Sequence, residues 1–259
     1  MIVRKTTSCT SALPTSDFSS EQPLVPFAGP LLEAALVRRE KRFLVWVRRD
    51  GEELCIHSNN TGAMFGLTEP GSPVLASHSS NPRRKLAYTQ EAVFCAAAGC
   101  WVGVNTQMPN RLLAAAFACD RLPFCAGYTT LRTEVVREQS RFDALAQGDG
   151  VRNLWIECKN VTLVEDEVAC FPDARSDRGR KHLLELMDVV ANGERAAMFY
   201  LIQRSDGHCF GPADCIDPDY ARLFWQAVDR GVEMYPYRAL VTPEGVFLQE
   251  ALPLACRPS

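Results

Sequence analysis

Three residues between positions 140 and 163 have the types and spacing for hydrolytic chemistry. Asp143 lies on one alternating segment, and Glu157 and Lys159 lie on the next, with a Gly-Asp-Gly turn at residues 148–150 between them. Asp-Gly favours a tight connection between two strands, and residues two apart on a strand share a face. The pattern therefore predicts that Asp143 faces Glu157 and Lys159 across a strand pair, with Leu154, Ile156 and Cys158 on the opposite, apolar face.

The chemistry of phosphodiester cleavage explains this set of side chains. Mg²⁺ or Mn²⁺ takes oxygen ligands and keeps other positions for water and substrate phosphate. Asp143 and Glu157 are the predicted carboxylate ligands, the main-chain carbonyl of Cys158 is a predicted neutral ligand, and Lys159 would orient or deprotonate water or stabilise the transition state. This is the D…(D/E)xK pattern of metal-dependent nucleases. The alternative is a pair of surface salt bridges on a hairpin, because such a triplet alone also arises by chance.

Three further residues are candidates for the same site, each with an alternative role. Glu134, on the preceding strand, is either another metal ligand or a charge paired with Arg132 or Arg137. Gln203, on a buried strand, either acts in catalysis by hydrogen bonding to substrate or metal-bound water, or is a satisfied core amide. Asp173 either approaches the site or forms a turn after Pro172.

The second half of the chain has the pattern of an α/β domain. Ser176 or Asp177 predicts the start of a helix that runs to residue 191, and residues 195–204 form an apolar strand of the kind buried on both faces. Asp217 and Pro218 predict the start of another helix, followed by strands near residues 232–241 and 246–249. Strand, helix and buried strand together predict a parallel pair.

The front half has the pattern of a small β-barrel. Short strands and turns recur from residue 26 to residue 104, and basic clusters at residues 38–42, 48–49 and 83–85 lie near aromatic side chains. This pattern is typical of an oligonucleotide-binding (OB) fold, although solvated faces and core aromatics would also produce it. We expect three segments: a disordered extension at 1–24, an OB-like nucleic-acid-binding domain at 25–108 and an α/β domain at 109–259.

Composition places the chain among ordinary globular proteins. It has 259 residues, 47% hydrophobic and 23% charged, and a formal net charge of -3. Its 11 cysteines include no CxxC pair, and there is no apolar run long enough for a membrane span. We expect reduced thiols in an intracellular, by default cytoplasmic, protein that does not interact with membranes. Arg4 and Lys5, with no acidic residue before Asp17, leave organelle import open.

Segments in a fixed order along most of the chain resemble the sugar fermentation stimulation protein (SfsA) family. The resemblance covers about Leu31 to Pro253. Its main segments are Lys41-Arg42-Phe43, His57, Asn60-Thr61-Gly62, Arg84-Lys85-Leu86, Val102 to Thr106, Pro109-Asn110, Ser140-Arg141 with Asp143, Glu157 with Lys159, Phe171 to Ala174, Arg178-Gly179, Lys181-His182-Leu183, Gln203-Arg204 and Ile216-Asp217-Pro218. The resemblance implies an N-terminal OB-like domain, a C-terminal domain of the PD-(D/E)xK nuclease fold, and DNA binding.

Four positions depart from the family pattern. Glu40 stands where an aromatic residue is usual, Ala144 where a bulky residue is usual, Cys158 where a branched apolar residue is usual, and Asn160 where a serine is usual. None of these changes removes a carboxylate or the lysine.

The basic clusters and the resemblance together select a set of residues for contact with the DNA backbone. These residues are Lys41, Arg42, His57, Asn60, Thr61, Arg84 and Lys85 in the front half, and Arg178 and Lys181 at the start of a helix that could hold a phosphate. For His57 a structural hydrogen bond is the alternative. We expect low sequence specificity, because the sequence shows no helix-turn-helix or zinc finger.

Three functions remain open from the sequence. The first is a DNA-binding, Mg²⁺- or Mn²⁺-dependent nuclease centred on Asp143, Glu157 and Lys159. The second is a non-catalytic, sequence-tolerant DNA-binding regulator on a nuclease fold. The third is a protein-interaction module with a structural metal. The oligomeric state is also open, a homodimer included.

Overall fold

The chain forms a β-barrel followed by a larger α/β domain. The computed structural model describes residues 1–5, 22–138 and 140–257. The mixed α/β class and the order of the two parts are as the sequence predicts.

Two short strands near the start of the chain belong to the α/β domain, not to the barrel. Strand β1 (Ile2–Arg4) pairs with residues 130–132, and strand β2 (Val25–Pro26) pairs with residues 245–246. The prediction of a disordered extension at 1–24 is therefore wrong for residues 2–4. It overlooked that a three-residue strand can take its backbone hydrogen bonds from a distant partner. Residues 6–21 lie outside the described residues.

The barrel is closed and has five strands. They are β3 (Leu32–Glu40), β4 (Leu44–Arg49), β5 (Glu52–His57), β6 (Pro73–His78) and β7 (Tyr88–Cys95). The pairing order is β5-β4-β3-β6-β7, and a parallel contact between His57 and Thr89 closes the ring. This is the five-stranded Greek-key arrangement of an OB fold. The inward side chains, among them Val45, Val47 and Ile56, form a separate apolar core. A short strand, β8 (Cys100–Gly103), extends the sheet beyond β7.

The α/β domain is built on an eight-stranded sheet. Its remaining elements are α1 (Met108–Ala118), a short 3-10 turn (Pro123–Cys125), β9 (Thr130–Arg137), β10 (Ser140–Gln147), β11 (Leu154–Val161), β12 (Leu163–Glu165), β13 (Val168–Phe171), α2 (Asp177–Ala191), β14 (Arg195–Ile202), β15 (Cys209–Pro212), α3 (Pro218–Asp229), β16 (Glu233–Thr242) and β17 (Gly245–Ala251). The order across the sheet is β1-β9-β10-β11-β14-β16-β17-β2, and β12, β13 and β15 form a small second sheet.

Helices cover both faces of the large sheet, which explains why its central strands are apolar on both sides. Helix α1 and part of the barrel pack on one face, and α2 and α3 pack on the other. Strands β11 and β14 run parallel, as do β14 and β16. The predicted strand, helix and buried strand unit is therefore confirmed.

The two main helices start where capping residues predict. Ser176 caps α2 by accepting a hydrogen bond from the N–H of Gly179, so that Ser176, not Asp177, is the cap. Asp217 caps α3 by accepting from the N–H of Tyr220, with Pro218 at the first helical position. These caps fix the ends of the helices that lie beside the C-terminal ends of β11 and β14.

Two further findings concern the described part of the chain. None of its cysteines forms a disulfide bond. None of its helices combines the length and apolar character needed to cross a membrane.

Candidate metal centre

The pairing of β10 with β11 places the two candidate carboxylates side by side. Ala144 pairs with Ile156 and Leu145 with Trp155, so Asp143 is the next residue opposite Glu157. This register is the one that the alternating pattern predicts.

Asp143 is held from two directions. Its Oδ2 accepts a hydrogen bond from the main-chain N–H of Cys158 at 2.8 Å, and its Oδ1 accepts from the side-chain amide of Asn110 at 2.8 Å. Asn110 lies in the first turn of α1, so the helix that opens the α/β domain reaches across to β10. Both contacts fix the orientation of the Asp143 carboxylate.

Glu157 is almost completely buried, with 3% of its surface exposed. Its Oε1 lies 2.5 Å from Lys159 Nζ and also contacts His182 Nδ1. Lys159 Nζ and His182 Nδ1 are 3.0 Å apart. The lysine and the histidine therefore meet at the same oxygen of Glu157, on the side of β11 that faces α2.

The electrostatics of the two carboxyl groups differ. Burial and then the negative charge of Glu157 raise the pKa of Asp143. Burial also acts to raise the pKa of Glu157, but the charge of Lys159 and the hydrogen bonds from His182 and Lys159 outweigh it and lower the pKa to about 2. The charge of Glu157 is thus compensated by Lys159, whereas the pKa of Asp143 stays raised. The uncompensated carboxylate favours the binding of a further cation.

The donor set fits a hard divalent cation. Among the described residues, no group of three or more His, Cys, Asp or Glu side chains is arranged to hold a metal ion. Mg²⁺ is commonly held by only one or two carboxylates, with water and substrate in the other positions. Asp143 and Glu157 supply two carboxylates, and the Cys158 carbonyl is the candidate neutral ligand.

The thiol of Cys158 does not belong to this donor set. It packs in the apolar core on the opposite face of β11, and burial raises its pKa well above the usual value. The group therefore stays a neutral thiol and contributes only its main chain to the site.

The carboxylates lie in a cleft of about 540 Å³ between the barrel and the α/β domain. The barrel contributes Asn60, Thr61 and Gly62, and α1 with the residues before it contributes Thr106, Gln107, Asn110 and Arg111. The opposite wall contains Phe171, Asp173, Ser176, Arg178 and Gly179. Each wall therefore carries polar side chains in a cleft that also contains the two carboxylates.

Several predicted site residues from distant parts of the sequence meet in this cleft. Glu134, Asn60, Thr61 and Arg178 line it together with Asp143, Glu157, Cys158 and Lys159. Glu134 pairs with Arg141 at 2.9 Å, not with Arg132 or Arg137, and its side chain is half exposed. Glu134 is thus placed at the edge of the cleft, where its role as a ligand stays a prediction.

Comparisons with known proteins agree with this architecture. A family model described as "SfsA N-terminal OB domain" matches residues 37–104, and one described as "Sugar fermentation stimulation protein RE domain" matches residues 107–245. A sugar fermentation stimulation protein homolog of Maridesulfovibrio salexigens is 48% identical over 239 residues, covering 91% of this chain and 99% of the relative. The chain belongs to the sugar fermentation stimulation protein family.

Other members of the family support the same assignment. A homolog from Geobacter metallireducens is 50% identical over 228 residues, covering 87% of this chain and 97% of the relative. The solved structure of Pyrococcus furiosus SfsA in complex with Ca²⁺ matches with a TM-score of 0.83 at 23% identity, covering 91% of this chain and all of that one. This likeness confirms the fold, a barrel followed by the α/β domain of the family.

Gln203 is not where the catalytic prediction requires it. Its side chain is 1% exposed, donates to the main-chain carbonyl of Asn105 at 3.3 Å and contacts Asn160 Oδ1. It does not line the cleft. A Cβ at Gly103 would lie 2.3 Å from its amide oxygen, so the amide is packed between the barrel and the sheet. The position is that of the satisfied core amide, the alternative that the sequence left open.

Most of the predicted DNA-contacting residues lie outside the cleft. Lys41, Arg42, Lys85 and Lys181 are exposed, and His57 and Arg84 are partly buried. Among them, Arg42 donates to the carbonyl of Thr61 at 3.0 Å and so supports the loop that enters the cleft. Burial and then the nearby charge of Arg84 lower the pKa of His57. None of these six residues lines the cleft, and their contact with DNA stays a prediction.

Other residues of the site escaped the sequence prediction. Asn110 and His182 contact the carboxylates directly, although neither was assigned a role. Arg39 donates to the carbonyls of Asn60 and Gly62 at 2.7 and 3.0 Å and holds the barrel loop. Asp173, by contrast, is one of the predicted candidates: it lines the cleft and accepts from the N–H of Met64 at 3.0 Å, a contact that joins the two domains. Asn110 and His182 did occur in the family segments, which was the one available signal.

Proposed function

We propose that this protein is a divalent-metal-dependent nuclease that hydrolyses phosphodiester bonds in DNA. One observation carries the proposal. Two carboxylates, the buried Glu157 and the partly buried Asp143, lie side by side on paired strands, and Lys159 projects from the same face two residues beyond Glu157. This is the arrangement that metal-assisted hydrolysis of a phosphodiester requires.

Asp143, Glu157 and the carbonyl of Cys158 would hold Mg²⁺ or Mn²⁺. When bound, the ion would lower the pKa of a water molecule and offset the negative charge that develops on the phosphate. The Pyrococcus furiosus relative was solved with Ca²⁺, another hard cation that prefers oxygen ligands. That observation supports a divalent cation as a ligand of this protein.

The protein's own groups have distinct roles in the proposed reaction. Lys159 Nζ, fixed 2.5 Å from Glu157, would hold the attacking water by hydrogen bonding or stabilise charge on the phosphate. Arg178, on the cleft wall, would bind a neighbouring phosphate. Asn60 and Thr61 would contact the backbone from the barrel side. The exposed basic residues of the barrel would extend this contact along the strand, with affinity that depends on salt and little on sequence.

A second function, a DNA-binding regulator that does not cleave, is favoured by a different observation. Both contacts that Glu157 receives fall on Oε1, so the protein already neutralises this carboxylate with its own groups. If that pairing persists in the presence of metal, Glu157 is a structural carboxylate and the site is catalytically inactive.

The test is cleavage of end-labelled single- and double-stranded DNA in Mg²⁺, in Mn²⁺ and in EDTA. Wild type is compared with Asp143→Asn and Glu157→Gln, and DNA binding is measured on the same samples. The proposal predicts metal-dependent cleavage by wild type alone, with binding retained by both variants. Binding without cleavage on every substrate and with either metal would favour the regulator. Cleavage that survives both substitutions would place the chemistry elsewhere.

A further inference from the structure

His182 makes more contacts with the candidate centre than the proposed reaction requires. It lies in the second turn of α2 on the buried stripe of the helix, with 7% of its surface exposed. Its Nδ1 contacts Glu157 Oε1 and lies 3.0 Å from Lys159 Nζ. On the other side of the ring, its Nε2 lies 3.4 Å from Arg178 Nε. One imidazole therefore touches a candidate metal ligand, the lysine and a cation of the cleft wall.

The partners of the ring determine which nitrogen carries the proton. Arg178 has only N–H donors, so its Nε must donate and His182 Nε2 must accept. Nδ1 is then the nitrogen that donates, and it contacts Glu157, a carboxylate that only accepts. The ammonium of Lys159, although 3.0 Å from Nδ1, donates to the same oxygen of Glu157 and not to the ring. Since Arg178 is four residues before His182 on the same helix face, α2 itself sets this tautomer.

This geometry has a consequence for Glu157. A fixed N–H donor restricts the rotamer of a carboxylate. Because His182 and Lys159 both contact Oε1 of Glu157, its Oε2 is the oxygen left for a metal ion in the cleft. Removal of a group that orients a metal ligand typically weakens metal binding by about 10- to 100-fold.

We propose that His182 is a positioning residue for the metal centre: its Nδ1–H orients Glu157 and holds it beside Lys159, and Arg178 fixes the tautomer that makes this bond. The inference rests on the proposed function, because it takes Glu157 as a metal ligand. His182 itself contacts neither the metal nor the phosphate.

The test compares two substitutions of similar polarity. The amide nitrogen of Asn can take the place of Nδ1, whereas the amide of Gln reaches the place of Nε2. Affinity for Mn²⁺ is measured by electron paramagnetic resonance of the free ion, without DNA, in wild type, His182→Asn and His182→Gln. Leu184→Ala is the matched control, because Leu184 lies on the same helix, is 48% exposed and does not line the cleft. Circular dichroism melting shows that each variant is folded.

We expect His182→Asn and Leu184→Ala to bind Mn²⁺ within about threefold of wild type, and His182→Gln to bind about tenfold more weakly. Arg178→Met should weaken Mn²⁺ binding in the same direction, although Arg178 contacts neither carboxylate, because His182 loses the donor that fixes its tautomer. Equal affinities of the Asn and Gln variants would overturn the inference, as would wild-type affinity in Arg178→Met.

A further variant separates failure of this inference from failure of the proposed function. Glu157→Gln should lose most Mn²⁺ binding. If it binds as wild type does, Glu157 is not a ligand and the metal centre itself is wrong. If Glu157→Gln loses binding while both His182 variants keep it, only the role of His182 is refuted.

Discussion

Replacement of Asp143 by Asn should make the metal-free protein more stable, although it removes a proposed ligand. Asp143 lies beside the ionised Glu157 in a buried site, and burial and the Glu157 charge raise its pKa. Two like unit charges in neighbouring side chains repel by about 2–4 kcal/mol at an effective dielectric constant of 20. Lys159 screens part of this repulsion.

The hydrogen bonds of Asp143 survive the substitution in large part. Asn110 can turn its amide to accept from the new side-chain amide, and the remaining oxygen can still accept from the N–H of Cys158. Weaker bonds to a neutral group cost about 1 kcal/mol. The net expectation is a gain of about 1 kcal/mol in the free energy of unfolding, equivalent to about 2–4 °C in Tm for a protein of this size.

The assay is thermal and urea unfolding of wild type and Asp143→Asn in EDTA and in Mg²⁺. A ligand present at about 100 times its Kd stabilises the native state by about 2.7 kcal/mol, so saturating Mg²⁺ should make wild type the more stable of the two. Asp143→Ala is the control, because it leaves Asn110 and the Cys158 N–H without their acceptor and should destabilise in both conditions. If Asp143→Asn is less stable than wild type by 1 kcal/mol or more in EDTA, the carboxylate is structural and the reasoning is refuted.

Three further predictions concern the frame of the site. Asp217→Asn should lower the free energy of unfolding by about 1–2 kcal/mol at pH 7: burial acts to raise the pKa of Asp217, but hydrogen bonds from Ser176, Tyr220 and Arg180 outweigh it and lower the pKa. A carboxyl whose pKa is lower in the folded than in the unfolded protein stabilises the folded state at pH values above its unfolded pKa. The difference in unfolding free energy between wild type and Asp217→Asn, measured with urea, should therefore shrink as the pH falls below about 4. A difference that stays constant with pH would contradict this origin. Gly62→Ala should lower the Tm and weaken DNA binding, because the new Cβ would lie 2.3 Å from an Asp173 carboxylate oxygen. The double variant with Asp173→Ala should lose less stability than the sum of the losses in the two single variants. Strictly additive losses would show that this contact is not the cause. DNA affinity, measured by fluorescence anisotropy between 50 and 200 mM salt, should fall by a power law of the salt concentration, and affinity independent of salt would exclude backbone recognition.

The grouping of the two candidate carboxylates and the lysine could be predicted from the sequence because it depends on one local rule. Asp143, Glu157 and Lys159 lie on adjacent strands whose residues alternate between faces, so a correct register brings them together without further information. The starts of α2 and α3 were also predictable, since Ser176 and Asp217 act through side chains that cap their own helices.

The rest of the site depends on contacts between distant segments, which no local pattern encodes. Asn110 meets Asp143 because α1 packs on the sheet, and His182 meets Glu157 because α2 packs on its other face. The catalytic role predicted for Gln203 does not fit its position for a related reason. Its strand is predicted correctly, but the barrel covers its side chain. Strand β1 is too short to be recognised without its partner β9.

Cleavage after removal of the proposed lysine tests the central claim most directly. Single-turnover cleavage of end-labelled DNA is measured in Mn²⁺ for wild type and Lys159→Met, with Mn²⁺ and DNA binding confirmed for both. A nuclease centred on Asp143, Glu157 and Lys159 predicts that wild type cleaves, that EDTA stops it, and that Lys159→Met binds both partners but cleaves at least about 100-fold more slowly. Equal cleavage by the two proteins, or none by wild type on any DNA tested, would contradict it.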